Sequence, residues 1–249
     1  MTGALFIIGL GPGAPELVTP EVSAALAAVD DVLGYFPYVE RVPARPGLTR
    51  HGSDNGDELA RARQGLALAA AGKRVALVSG GDAGVFGMAA AAFEVVEGEP
   101  GFAGLDIRVL PGISAMFAAA ARVGAPLGHD FCAISLSDNL KPWDVIAARL
   151  AAAAEAGFVV ALYNPISRAR PWQLDAAFDL LRPLLPGDAP VVFARAVTRP
   201  DEAVAVVPLA EARGQMADMR TLVIIGTAET RQVARPAAPP FVYTPRRMA

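Results

Sequence analysis

The run Ala4-Leu-Phe-Ile-Ile-Gly-Leu10 is apolar at both parities and opens into glycines at positions 9, 11 and 13. A strand with one wet face alternates apolar and polar residues. One that is apolar throughout is buried on both faces, as in a parallel sheet sandwiched between helices. The rest of the chain must therefore supply those helices. Thr19 and Pro20 provide an N-cap and a first-turn proline for a helix running to about Val29. The patterning then predicts a helix over Asp57–Ala71, a strand over Arg74–Val78 and a helix over Val85–Val96. A strand at Asp106–Leu110 and a helix over Ile113–Arg122 follow. Alternation at this spacing predicts an α/β domain with a largely parallel sheet.

Turn residues cluster at Gly124-Ala-Pro-Leu-Gly128, which divides the chain into an N-terminal domain over 1–125 and a C-terminal one over 126–249. Strands are expected near Phe131–Leu136, Phe158–Leu162, Val191–Ala194, Ala203–Val207 and Leu222–Ile225. The last three lie too close together for intervening crossover helices, so part of this second sheet is expected to be antiparallel. The expected fold class is thus α/β, with a mostly parallel sheet first and a mixed α+β sheet second. Alanine runs such as Ala151–Ala154 read as helix surface. The Pro- and Arg-rich tail from Ala228 reads as irregular.

Composition removes several function classes. A hydrophobic fraction of 53% against 19% charged residues excludes wholesale disorder. A net charge of −3 gives no general attraction to nucleic acid, and none is expected as a partner. Cys132 is alone and the two histidines, His51 and His129, stand far apart, so no disulfide and no metal site are expected. No apolar run is long enough to span a bilayer and Met1–Leu10 lacks a signal peptide's basic flank, which leads to the expectation of a cytoplasmic protein without a membrane partner.

Three glycine-bearing loops each follow a strand. In Gly9-Leu-Gly11-Pro-Gly13-Ala-Pro15, Gly9, Gly11 and Ala14 loosely satisfy the dinucleotide fingerprint. That fingerprint requires a helix to open at once, whereas here the helix signal waits until Thr19. A close-approach loop and a plain structural turn both remain open. In Ser79-Gly-Gly-Asp82-Ala-Gly-Val-Phe-Gly87, Asp82 is either a ligand contact or a helix cap. Ser114 in Pro111-Gly-Ile-Ser-Ala115 is by itself most simply a cap. Ligands of open α/β sheets bind beyond the carboxyl ends of strands, so three such loops together carry more than any one.

In order and spacing, Gly-Leu-Gly-Pro-Gly, Gly-Gly-Asp and Pro-Gly-Ile-Ser resemble the tetrapyrrole methylase family, a resemblance that extends to Thr221-Leu-Val-Ile-Ile-Gly226. Gly34-Tyr-Phe-Pro-Tyr38, Gly128-His-Asp-Phe131, Ser135-Leu-Ser-Asp138, Tyr163-Asn-Pro-Ile-Ser167 and Ser167-Arg-Ala-Arg-Pro-Trp-Gln173 are similar to the members that methylate C17 of a corrin precursor. The family often has Gly-Asp-Pro in its second loop; this chain has Gly81-Asp82-Ala83. The resemblance implies the two-domain tetrapyrrole methylase fold, a class III methyltransferase, with S-adenosylmethionine in the cleft between domains. It implies a homodimer, and cofactor contacts at Pro12, Gly81, Asp82, Val85, Phe86, Ser114, Ala115, Tyr163, Asn164, Ala194, Thr221 and Leu222.

The implied reaction methylates precorrin-3B at C17 and contracts the ring to precorrin-4. A sulfonium methyl is already activated, so positioning supplies much of the rate. Contraction must remove a hydroxyl proton at C20, for which Asp82, His129 and Asp138 are the candidate bases; each also reads as a cap, a core histidine or a turn residue. Tyr35 and Tyr38 are candidate macrocycle contacts. Arg41, Arg45 and Arg50, in the long loop after Tyr35, and Arg168 and Arg170 are candidates for the substrate carboxylates, against a reading as solvated surface. The alternatives are methylation of cobalt-factor III, methylation of ribosomal RNA ribose, and a nicotinamide-binding protein resting on the first glycine loop alone.

Overall fold

The computed structural model describes residues 3–247 and divides into two compact units, Met1–Ala115 and Met116–Ala249. The first contains β1 (Ala4–Gly9), α1 (Pro20–Ala28), β2 (Asp31–Tyr35), α2 (Phe36–Val39), β3 (Thr49–Ser53), α3 (Glu58–Ala70), β4 (Arg74–Ser79), α4 (Met88–Gly98) and β5 (Asp106–Leu110). Its five strands are all parallel, in the order β3-β2-β4-β1-β5.

Every residue of β1 is buried, and the alternation of side chains explains why it must be apolar throughout. Leu5 and Ile7 join Leu33, Val75 and Leu77 in a core with Ala62 and Leu66 of α3 and Ala92 and Val95 of α4. Phe6 and Ile8 point the other way, into a second core with Val32, Ala76, Val78 and Val22 of α1. Thr19 caps α1 as its sequence position demands, its hydroxyl accepting from the Val22 amide at 3.2 Å.

Helix α5 (Ala115–Val123) leads to the second unit, which holds β6 (Gly124–Ala125), β7 (Phe131–Ser135), α6 (Trp143–Glu155), β8 (Val159–Tyr163), α7 (Gln173–Leu181), β9 (Pro190–Arg195), β10 (Ala203–Pro208), β11 (Thr221–Ile225), β12 (Arg231–Val233) and β13 (Phe241–Tyr243). Its main sheet has the order β10-β9-β11-β8-β7. Only β7 and β8 pair in parallel; β8–β11, β11–β9 and β9–β10 are antiparallel, the last pair joined by a short connection. Ile146 and Leu150 of α6 and Leu174, Phe178 and Leu181 of α7 cover one face, against Leu162, Val191, Phe193 and Val223.

The structure corrects four expectations. The segment after Tyr35 is not simply a long loop: it forms α2, and Thr49–Ser53 adds β3 to the sheet. As a half-exposed edge strand of sequence TRHGS, β3 carries no apolar alternation to announce it. Its anchor is polar: buried Asp31 meets His51 Nε2 at 2.7 Å and Lys73 Nζ at 3.5 Å. The second correction concerns the helix expected from Val85, which begins only at Met88, because Phe86 takes a left-handed φ of 53° that no helix accommodates. Third, the turn cluster at 124–128 supplies β6, which belongs to a small sheet in the second unit. Finally, the tail is not wholly irregular. β12 and β13 pair antiparallel, and β13 joins β6. Among the described residues no helix is long and apolar enough to cross a membrane.

Phe178 is fully buried and meets Phe193 edge to face at a centroid distance of 6.1 Å. Phe178→Ala is expected to destabilise the chain by about 3–5 kcal/mol, as a lower urea midpoint. A loss below about 1 kcal/mol would mean that the core of the second unit repacks freely.

Candidate functional site

Because every strand of the first unit runs the same way, the loops after β1, β2, β4 and β5 emerge at one edge. Leu10 donates to the Ser79 carbonyl at 2.9 Å, and Gly11 and Gly81 exchange both backbone hydrogen bonds at 3.0 and 2.9 Å. The first and second loops are thereby zipped together. The third is pressed against them. A Cβ on Gly9 would lie 2.6 Å from the Gly81 carbonyl oxygen and 2.8 Å from the Gly112 nitrogen. Only glycine permits that approach.

Asp82 completes the junction. Its Oδ1 accepts from the Gly84 amide at 2.8 Å and its Oδ2 from the Gly112 amide at 3.0 Å. It is not the cap of α4; the buried Ser79 hydroxyl takes that part, accepting from the Met88 amide at 3.0 Å. Freed from capping, the carboxylate ties the second loop to the third. Pro12, Gly81, Asp82, Val85, Phe86, Ser114 and Ala115 all lie on these three loops or the helix start that follows.

Tyr35 and Tyr38 stand at the same edge, after β2. Their rings meet edge to face at 5.6 Å, and a Cβ on Gly80 would lie 2.7 Å from the Tyr38 ring. Arg41 is there too, its guanidinium donating to the carbonyls of Leu10 and Gly11. Arg45 and Arg50 are not. Arg45 donates to the carbonyls of Leu26 and Val29, before β2, and Arg50 to that of Val42 at 3.3 Å.

In the second unit the strand directions again select one edge. The carboxyl ends of β7, β8 and β9 and the start of β11 lie together, since Thr221 pairs with Arg195 and Val223 with Leu162. This gathers Tyr163, Asn164, Ala194, Thr221 and Leu222. Asn164, at φ 51°, donates through Nδ2 to the Ser135 hydroxyl at 2.9 Å, which also accepts from the Ser137 amide at 3.3 Å. Asp138, Arg168 and Arg170 occupy the loops beyond β7 and β8. Arg170 approaches the Asn164 carbonyl at 3.4 Å; Arg168 is exposed. His129 precedes β7 and so sits at the opposite edge of this sheet.

Four non-glycine residues among those described have positive φ: Phe86, Asn164, Ala196 and Thr198, at 53°, 51°, 47° and 67°. All four lie in loops at these two edges. Such conformations cost about 1–3 kcal/mol each and persist where surrounding structure enforces them, commonly around ligands. For Thr198 the enforcement is visible. Glu202 accepts from the Thr198 amide and receives Arg122 Nε on both oxygens at 2.9 Å. Alongside, Asp201 pairs with Arg220 at 2.7 Å and with Arg195 at 3.1 Å, and Arg195 reaches Asp218 at 2.7 Å. The Arg220 guanidinium first, and Arg195 after it, hold the Asp201 carboxyl down at about 2. With its folded pKa depressed, this carboxylate's contribution is complete above the ordinary range and disappears only as pH falls toward 2.

Sequence reasoning missed Ser135 as the Asn164 partner, and it missed Ala196, Thr198 and Glu202. An alanine carries no signal for left-handed backbone, and the charges that impose it are scattered from residue 122 to 220.

A match to the family model described as Tetrapyrrole (Corrin/Porphyrin) Methylases covers residues 4–213. A Sinorhizobium protein named precorrin-3B C(17)-methyltransferase is 58% identical over 99% of this chain and 97% of its own. A Salmonella typhimurium protein named probable cobalt-factor III C(17)-methyltransferase is 41% identical over 91% and 93%. The solved structure of the methyltransferase CobJ superposes with a TM-score of 0.94 at 53% identity, covering 98% of this chain and all of the other. A Thermus thermophilus uroporphyrin-III C-methyltransferase complexed with S-adenosyl homocysteine gives 0.68 at 25% identity, over 90% and 92%.

Replacing Glu202 by alanine removes the acceptor that holds Thr198. The expected result is a loss of about tenfold in affinity for S-adenosylmethionine, roughly 1.4 kcal/mol, with about 1 kcal/mol or less of global stability. Calorimetry and denaturant unfolding separate the two. Unchanged affinity would show that the strained loop does not serve the ligand.

Proposed function

Because the chain belongs to the tetrapyrrole (corrin/porphyrin) methylase family, we propose that it methylates precorrin-3B at C17 with S-adenosylmethionine as donor and contracts the macrocycle to precorrin-4. The observation that carries this reading is near-complete correspondence, end to end, with a relative named for that reaction. The strained and glycine-packed loops support it, since most of the cofactor contacts that the resemblance implies fall on or beside them.

The residues fit a cofactor held mainly by main chain. The residues that the resemblance implies would hold it are Pro12, Gly81, Asp82, Val85, Phe86, Ser114, Ala115, Tyr163, Asn164, Ala194, Thr221 and Leu222. When bound, S-adenosylmethionine supplies a sulfonium methyl already activated toward a carbon nucleophile. The protein's task is then alignment and exclusion of water. Glycines at 9 and 112 let the backbone come close, and the Asp82–Gly112 bond fixes how far apart the loops stand. The Asp82 carboxylate also places negative charge at an edge that receives a cation.

On the substrate side, we assign the exposed Arg168 and half-exposed Arg170 to the carboxylates, which a guanidinium meets by forked hydrogen bonds. Tyr35 is half-buried and offers a ring, whereas Tyr38 packs on Gly80 and supports the second loop. Arg41, Arg45 and Arg50 each donate to carbonyls of their own unit. We assign them to holding the loops rather than gripping substrate.

Incubation of precorrin-3B with the protein and S-adenosylmethionine is expected to give a product one methyl group heavier, with the absorbance of a contracted ring. Calorimetry is expected to register S-adenosylmethionine and not NADH. If the cofactor binds while precorrin-3B stays untouched and cobalt-factor III is converted, the assignment passes to the cobalt-containing substrate. Binding of NADH alone would refute the methyltransferase reading altogether.

A further inference from the structure

Gln173 is the first residue of α7, is 1% exposed, and its Oε1 has no hydrogen-bond partner among the described residues. Burying an amide with an unmet acceptor is unfavourable, so its other end must be worth keeping. That end is Nε2, which donates to Asp138 Oδ2 at 3.1 Å. The opposite amide orientation would turn Oε1 toward the carboxylate and set two acceptors against each other.

Asp138 is half-exposed, and its Oδ1 takes no hydrogen bond from the described residues. One oxygen is thus fixed by a buried donor while the other is left for an incoming group. The surroundings suit a large flat substrate with acidic edges. Leu140, two residues on, is 97% exposed, and Trp172, next to Gln173, is 47% exposed with its ring braced edge-on by Trp143 at 4.9 Å. Arg168 and Arg170 lie in the same loop as Trp172.

The two other candidates fare differently. Asp82 has an amide on each oxygen, and His129 lies at the far edge of its sheet. Resting on the proposed reaction, we infer that Asp138 is the base that takes the hydroxyl proton during ring contraction, and that Gln173 is its positioning residue. As the proton passes to Asp138 Oδ1, the O–H electron pair closes a carbonyl at the carbinol carbon. One ring bond of that carbon breaks, and its electron pair forms the new bond to the neighbouring ring carbon. That pair discharges the cationic π system left by methyl transfer. The contracted product differs from the methylated cation only by the proton given to Asp138, so the two give the same mass as positive ions and differ in absorbance.

The test follows the two half-reactions separately in Asp138→Asn, Asp138→Ala and Gln173→Met, with S-adenosylmethionine calorimetry as the check on folding. Asp138→Asn is expected to methylate at close to the parental rate while contraction slows about a hundredfold or more. Formate is expected to restore part of the contraction in Asp138→Ala. Gln173→Met, similar in shape but without the donor, is expected to slow contraction about tenfold with cofactor affinity and methylation unmoved. Contraction that keeps pace with methylation in Asp138→Asn overturns the assignment of the base. Equal loss of both half-reactions in Gln173→Met reduces that residue to a structural one. Should Asp138→Ala fail to fold, Asp138→Asn, equal in size, decides alone. Failure of the parental protein to methylate precorrin-3B would sink the underlying function instead, and is read in the same assay.

Discussion

The close packing of three backbones at Gly9, Gly81 and Gly112 is the constraint on which the first unit's site depends. Side chains at Gly9 or Gly112 would push the loops apart, since a Cβ on Gly112 would fall 2.5 Å from the Gly9 carbonyl oxygen and closer still to that of Gly81, whereas Gly81 itself is required for its left-handed φ of 66°. The approach brings carbonyl groups together, which is electrostatically costly. The Gly11–Gly81 bridge and the Asp82 carboxylate offset that cost by consuming amides from all three loops. A parallel sheet makes the arrangement possible, because only parallel strands deliver successive loops to one edge.

The second unit reaches a similar end by other means. Its sheet is mixed, so fewer loops emerge at a shared edge, and those after β8 and β9 are strained at Asn164, Ala196 and Thr198 rather than glycine-rich. Strained backbone needs an external hold. Asn164 is held by the Ser135 hydroxyl, and Thr198 by Glu202. The ion pairs of Arg195, Asp201, Asp218 and Arg220 are largely exposed, so each contributes little to global stability. Their effect is local: they fix the chain's path between β9 and β11. Glycine gives the first unit its shape through freedom; charge gives the second its shape through restraint.

The same contrast explains what could be read from the sequence. Fully buried strands such as Ala4–Gly9 and Thr221–Ile225 announce themselves by composition alone, and glycine loops stand out as punctuation. From those two signals come the α/β class, the mixed second sheet and the family. Edge strand β3 and the small β12–β13–β6 sheet stayed hidden because their residues are mostly exposed and have no period to detect. At the site, the cofactor positions drawn from the resemblance fall on two edges that the sheet directions create. The five arginine positions could not be sorted, because whether a guanidinium faces substrate or a carbonyl depends on partners far away in sequence. Arg41 and Leu10 are such a pair.

Methyl transfer from a sulfonium asks little of side chains beyond alignment, and a site built from loops and backbone is the economical answer. Contraction asks for more, because a proton has to leave while carbon bonds shift. It needs an acceptor whose orientation survives the first step. A carboxylate on a free loop would sample many rotamers, and one holding a donor on each oxygen would be a weaker acceptor, its charge already shared with two amides. Asp138 lies between those extremes, with Gln173 on one oxygen and the other open. The unmet acceptor of Gln173 reads as the cost of that asymmetry: stability given up locally so that a half-exposed base keeps one direction.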